Sequence, residues 1–180
     1  PFDALTPRWK VLKIDGLSPL DKPLQITEYP LAIDFYLYPT SASNLQNSTI
    51  GESFKTLLPE TNRDEARMTV LIMTGTTALT RGTAYKIEKY GTDYPIEEVK
   101  EWFLSADLRH VSNEIPFVED CPPGDIYATS LQFCASPGSI EVLEKIGINV
   151  VELTGNHEND YGRENFAKTI EEYKKRGWLI

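Results

Sequence analysis

Three observations predict an α/β fold built on a parallel sheet. Apolar, β-branched runs stop at glycine or polar residues, amphipathic stretches of helical spacing follow them, and this order recurs three times from Met68 to the C-terminus. The first run, residues 68–74, is uncharged and is expected to be a central strand covered on both faces, ending at Gly75 with residues 76–82 as its loop. Tyr94-Pro95 then suits a helix start, and Ile96, Val99 and Phe103 recur at helical spacing. The chain returns through a second strand, residues 107–112, which exits at Asn113-Glu114. In the third unit Ser136-Pro137 is a cap and first-turn pair, Ile140, Leu143 and Ile146 form the apolar stripe, and Gly147 is the stop. Its strand is residues 148–153. The last helix carries Phe166, Ile170 and Tyr173 on one face, pairs Glu171 with Lys175 and Glu172 with Arg176 on the other, and halts at Gly177. Right-handed crossovers between parallel strands put all their exit loops at one edge of the sheet, so the loops at Gly75, Asn113-Glu114 and Asn156-His157 are expected to converge.

Residues 1–64 have a different texture. Residues 9–14 and 31–38 alternate like short strands, with Asp15-Gly16 as a turn signal after the first, while Pro19, Pro23, Pro30 and Pro39 interrupt the rest. The polar stretch 40–49 and residues 58–64 read as loop or linker. The expected division is an irregular β-containing N-terminal segment, 1–64, and an α/β domain, 65–180.

A chain of 180 residues can hold one full core and an appendage. The net charge of −9, with 18 basic residues, argues against nucleic acid or an anionic membrane as main partner, because both require clustered Lys and Arg. No apolar run approaches the roughly 20 residues of a membrane span. The start at Pro1, without an initiator Met or signal peptide, reads as a piece of a longer chain. Cys121 and Cys134 bracket a Pro/Gly-containing loop and could close a disulfide; spacing alone allows two free buried thiols nearly as well, and it offers no zinc pattern.

The densest chemistry lies in residues 152–162, where an apolar strand stops at Thr154-Gly155 and Asn156, His157, Glu158, Asn159 and Asp160 follow in succession. Ligands of open parallel sheets bind at such strand exits, and His157 is one of only two histidines. The plainer reading is that Asn156 and Asp160 cap a helix and His157 is a solvated loop residue. Asn, His and carboxylate groups on successive exit loops are hard donors that suit a divalent metal or a phosphate-bearing ligand, with imidazole ligating or transferring a proton.

Residues 153–162, Leu-Thr-Gly-Asn-His-Glu-Asn-Asp-Tyr-Gly, resemble the Asn-His-x-x-Asp-Tyr-Gly signature of the CapA family of poly-γ-glutamate capsule synthesis proteins, which is related to calcineurin-like metallophosphoesterases. Residues 137–151, 112–116 and 75–81 are similar to the same family. The resemblance implies that Asn156 is a metal ligand, that His157 is the catalytic imidazole facing phosphate or substrate, and that Glu114 and Asp160 are further metal-site carboxylates. It leaves Asn113, Arg81 and Glu158 as substrate-binding candidates. Two departures bear on this. Thr76 stands where the family usually has aspartate, and Ser112-Asn113-Glu114 stands where it usually has Asn-x-Glu. A hydroxyl in place of a carboxylate weakens divalent metal binding. The resemblance therefore implies an accessory protein of capsule synthesis that binds or processes an anionic polymer or phosphate-bearing intermediate beside other capsule-synthesis proteins. Manganese, zinc or magnesium would be bound weakly, and phosphoesterase turnover by these residues would be little or none. An active metal-dependent phosphoesterase and an extracellular ligand-binding module are the alternatives. Residues 1–38 faintly resemble the closing segment of phosphate-type extracellular binding proteins. The implied bacterial, extracytoplasmic setting would leave Cys121 and Cys134 bonded.

Overall fold

Strands, loops and helices alternate from Leu71 onward in the computed structural model, which describes residues 2–6, 8–36, 53, 57 and 61–180. Strands β1 (Leu71–Thr77), β2 (Leu108–Asn113) and β3 (Val150–Glu152) form a parallel sheet in that order. Helices α1 (Arg81–Tyr90) and α2 (Lys100–Leu104) connect the first two strands, α3 (Ile140–Lys145) leads into β3, and α4 (Arg163–Lys175) follows it. The α/β fold and the parallel sheet are as the sequence predicts. Because all the pairings are parallel, the three strands end at the same edge.

The central strand is β2, not β1. Val111, Ser112 and Asn113 are buried, and Val111 and Val151 join Phe103, Leu143, Ile115 and Tyr173 in the core. β1 lies at the edge of the described sheet and leaves Leu71 and Met73 exposed on one face, against the expectation of cover on both. Uncharged composition alone does not distinguish these positions. Gly75 is not the strand exit either. Between Met73 and Thr76 β1 carries one more residue than β2 does between His110 and Ser112, which is a bulge, and Thr74 Oγ1 donates to His110 O at 3.0 Å within it. The strand therefore runs on through Thr76, which pairs with Ser112, to Thr77, which pairs with Asn113.

Helix α1 has no counterpart in the sequence reading. Its only buried residue is Ile87, so it lacks the apolar stripe by which helices are found. The other helices follow their stripes. A 3-10 turn at Tyr94–Ile96 precedes α2, another at Pro137–Ser139 precedes α3, and Gly147 and Gly177 take positive φ at the helix ends. On α4 the lysine contacts are one residue closer than expected, Glu171 with Lys174 and Glu172 with Lys175, while Arg176 does meet Glu172. Beyond α4 the chain turns back beside β3, where Val151 N donates to Leu179 O at 2.8 Å.

Pro1–Met68 and Thr69–Ile180 form separate compact units. In the first, the ladder expected over 9–14 reduces to one antiparallel bridge, Ile14 with Leu17, around Asp15-Gly16, both at positive φ as a tight hairpin turn requires. No strand forms over 31–36, whose side chains are exposed; alternation alone makes a strand only where a ladder is there to join. Residues 37–38 and the expected linker 40–49 lie outside the described residues. What organises this unit is Arg63. Its buried guanidinium donates to the carbonyls of Pro19, Asp21 and Lys22 at 2.9, 2.7 and 3.2 Å and pairs with Glu65, using a planar fork of donors that lysine lacks.

Candidate functional site

The second and third strand exits meet as expected. Glu114 N donates to Thr77 O at 3.1 Å, tying the second exit to the first strand's end. A Cβ at Gly155 would stand 2.5 Å from Glu114 Cγ and 2.6 Å from its Cα, so the third exit can lie this close only as glycine. Glu114 is half-buried and Asn156 exposed, both at this edge.

His157 is held from several sides. Its Nδ1 lies 2.7 Å from Asp160 Oδ2, its ring centroid lies 4.3 Å from that of Phe133, and Asn156 Nδ2 is 3.4 Å from its Nε2. With Asp160 as acceptor, the proton sits on Nδ1, and Nε2 keeps the lone pair toward which the Asn156 amide points. The same Asp160 oxygen also accepts the Phe133 N–H at 2.8 Å. One of the expected metal ligands thus spends an oxygen on orienting the imidazole and on fixing a neighbouring loop. Arg81 joins the group from the start of α1, with Cζ 4.6 Å from the Phe133 centroid and Nη2 donating to Ser130 O. It does so at φ 50°, a left-handed backbone that non-glycine residues seldom adopt, and its Nε is buried without a partner among the described residues.

Asn113 and Glu158 lie beneath this rim. Asn113 is 1% exposed and donates from Nδ2 to Ile115 O at 2.6 Å and to the Tyr173 hydroxyl at 2.7 Å. Glu158, next to His157 in sequence, is buried, and burial pushes its carboxyl above the usual range, with the Glu152 charge adding and the Gly155 N–H opposing. Burial likewise raises the Tyr173 hydroxyl. Asn113 Oδ1 and Glu158 Oε1 have no hydrogen-bond partner among the described residues. Of the three residues offered by the sequence as substrate-binding groups, Asn113 and Glu158 are therefore buried in the floor, and only Arg81 is not.

Cys121 and Cys134 are joined, closing the loop between them with Cα atoms 5.9 Å apart. Phe133, immediately before the second cysteine, is the site residue that the sequence reading missed. Its only signal was adjacency to a cysteine, because nothing in local periodicity brings residue 133 to residue 157. As for a metal, no three His, Cys, Asp or Glu side chains converge among the described residues. Glu114 and Asn156 remain available as donors, while Asp160 Oδ2 is shared by two N–H groups and Glu158 is buried. This donor set does not by itself fit a catalytic divalent ion, which generally needs three protein ligands.

Two comparisons bear on this arrangement. Residues 70–180 match the family described as bacterial capsule synthesis protein PGA_cap. The chain is also 25% identical over 118 residues to the capsule biosynthesis protein CapA of Bacillus anthracis, an alignment covering 65% of this chain and 28% of that relative. The chain thus spans well under two thirds of the relative's length. The family match covers more than half of the chain and contains all three strands and every residue of the site described above. The chain belongs to the PGA_cap family of bacterial capsule synthesis proteins.

Proposed function

We propose that the strand-exit edge binds a phosphate- or carboxylate-bearing intermediate of capsule synthesis, or the anionic polymer itself, and that the chain serves as an accessory part of that synthesis. Poly-γ-glutamate is the polymer we favour. The observation that carries this reading is the His157–Asp160 pair at the convergent strand ends, where Asp160 assigns the proton to Nδ1, so that Nε2, with the Asn156 amide 3.4 Å away, is the nitrogen a ligand would engage by displacing that amide. An imidazole so oriented can accept from a ligand hydroxyl or, once protonated, donate to an anionic oxygen. Asn156 offers its amide beside Nε2 and Arg81 a guanidinium near the same group; both suit phosphate or carboxylate oxygens. The relative's description as a capsule biosynthesis protein supports the biological setting. The Cys121–Cys134 bond supports an extracytoplasmic location, since such bonds persist in oxidising compartments.

The residues present support binding more than turnover. Thr76 brings no carboxylate to the first strand's end, and we expect divalent metal binding to be weak. Calorimetric titration with manganese and zinc, beside an aryl-phosphate assay and a poly-γ-glutamate binding isotherm, tests the whole reading. Retained affinity for the anionic ligand that His157→Gln removes, with little hydrolysis, supports it. Micromolar metal affinity with turnover abolished by His157→Ala would replace it with a metal-dependent phosphoesterase.

A further inference from the structure

The loop closed by the disulfide is pressed onto the α/β unit at several points. A Cβ at Gly124 would stand 2.0 Å from Tyr85 N on α1, and the Gly124 N–H donates to Glu88 Oε1 at 2.8 Å. Just past Cys134, Ala135 N donates to Pro116 O at 3.0 Å and Ala135 O accepts from Val118 N at 2.8 Å. Cys134 itself is buried. The peptide of Phe133 is thereby fixed by its neighbour, and Phe133 acts on His157 in two ways. Its N–H holds Asp160 Oδ2 at 2.8 Å, and its ring lies against the imidazole at 4.3 Å and 50°.

Both actions are needed because an imidazole rotates about a broad, roughly two-fold terminal torsion. The Asp160 carboxylate selects which nitrogen faces it, but a carboxylate held by one partner can itself swing. A second donor on the same oxygen removes that freedom, and an aromatic face removes the remaining tilt. We propose that Phe133 is a positioning residue for His157, and that the disulfide-closed segment is a wall of the ligand site. Its place next to a buried cystine gives a surface loop the fixed geometry that preorganised donors require. The inference rests on the reading of His157 as the ligand-facing group, and its test separates the two.

The chain has two histidines, so its proton spectrum holds two imidazole Hε1 signals, and His110 in β2 serves as the internal reference. Phe133→Leu retains the peptide N–H and the disulfide and removes the ring. It is expected to shift the His157 signal by loss of the ring current, to leave His110 in place, and to lower the affinity for inorganic phosphate, read on the same signal, by about tenfold. Phe133→Trp restores an aromatic face and recovers both. Reduction of the disulfide with a phosphine moves the His157 signal and again spares His110, with the near-ultraviolet dichroism of the core retained. A His157 signal unmoved by Phe133→Leu overturns the proposal, as does equal movement of both histidine signals. If phosphate moves neither histidine in the unaltered chain while Phe133→Leu still displaces His157, the positioning role stands and the phosphate-binding reading fails.

Discussion

His157 and Glu158 are neighbours in sequence and have opposite fates. His157 lies partly open on the rim with partners on both ring nitrogens, whereas Glu158 is turned into the floor with one oxygen that has no hydrogen-bond partner among the described residues. The same division separates Asn156, exposed beside the imidazole, from Asn113, buried and bonded to Tyr173. A loop rich in polar residues is thus two layers. The lower one ties the second strand's exit to α4 through Asn113 and Tyr173, and the upper one leaves Asn156 and His157 at the edge. Substitutions in the floor should cost stability, and those on the rim should cost binding alone.

The largest expected effect is on the floor. Tyr173→Ala deletes a fully buried ring that packs on Phe117 and Trp178 and accepts from Asn113, and urea denaturation should register a loss of about 3–5 kcal/mol. Tyr173→Phe isolates the hydroxyl and should cost about 1–2 kcal/mol, since Asn113 Nδ2 loses one of its two acceptors. A change below the error of the measurement in both variants would remove the distinction between floor and rim.

Gly155→Ala comes next and joins the two layers. The added carbon would fall 2.6 Å from the Glu114 Cα, so backbone must yield, at a cost of about 1–3 kcal/mol. Phosphate affinity should fall with it. Unaltered stability and affinity would mean that the second and third exits are not packed as described.

Glu158→Gln sharpens the comparison through pH. Its carboxyl is raised above the ordinary value of 4.5, chiefly by burial, so above that value the unfolded chain has lost a proton that the folded chain still holds. This residue's contribution to stability is full below the unfolded value and is lost as pH rises through the folded one. The stability difference between Glu158→Gln and the unaltered chain should therefore shift in favour of the variant as pH rises from the ordinary carboxyl range toward neutrality. Thermal unfolding across that range decides it, and a pH-independent difference would place Glu158 in contact with solvent.

The smallest effect on stability is expected on the rim. His157→Gln should change unfolding free energy by about 1 kcal/mol, because glutamine fills much of the same space and one strong hydrogen bond, to Asp160, is lost. Anionic-ligand binding should nonetheless be lost. A large destabilisation without loss of binding would reverse the roles assigned to the layers.

The sequence by itself determined the repeated strand, loop and helix order, the parallel sheet, the stop at Gly147, the position of α4 and the approach of the second and third strand exits at Glu114 and Gly155. These follow from local composition, apolar periodicity and connection rules, which operate within a few turns or one crossover. It also singled out His157 as the candidate for the site, because polar donors concentrated at a strand exit are visible in one stretch. Only the tertiary structure decided that β2 rather than β1 is central, since an uncharged run does not reveal which of its faces will be covered. The bulge that carries Gly75 into β1, and α1 with its single buried residue, likewise depend on contacts that no local pattern records. The partners of His157 were set in the same way: Phe133 arrives from a loop held by Cys121–Cys134 and by the Gly124 contact with α1, and Arg81 arrives from the helix start next to it. Burial then divided the polar residues, sending Asn113 and Glu158 inward and leaving Asn156 and His157 at the edge, because alternation along a strand and the turn of a loop choose a side only once the neighbouring elements are in place.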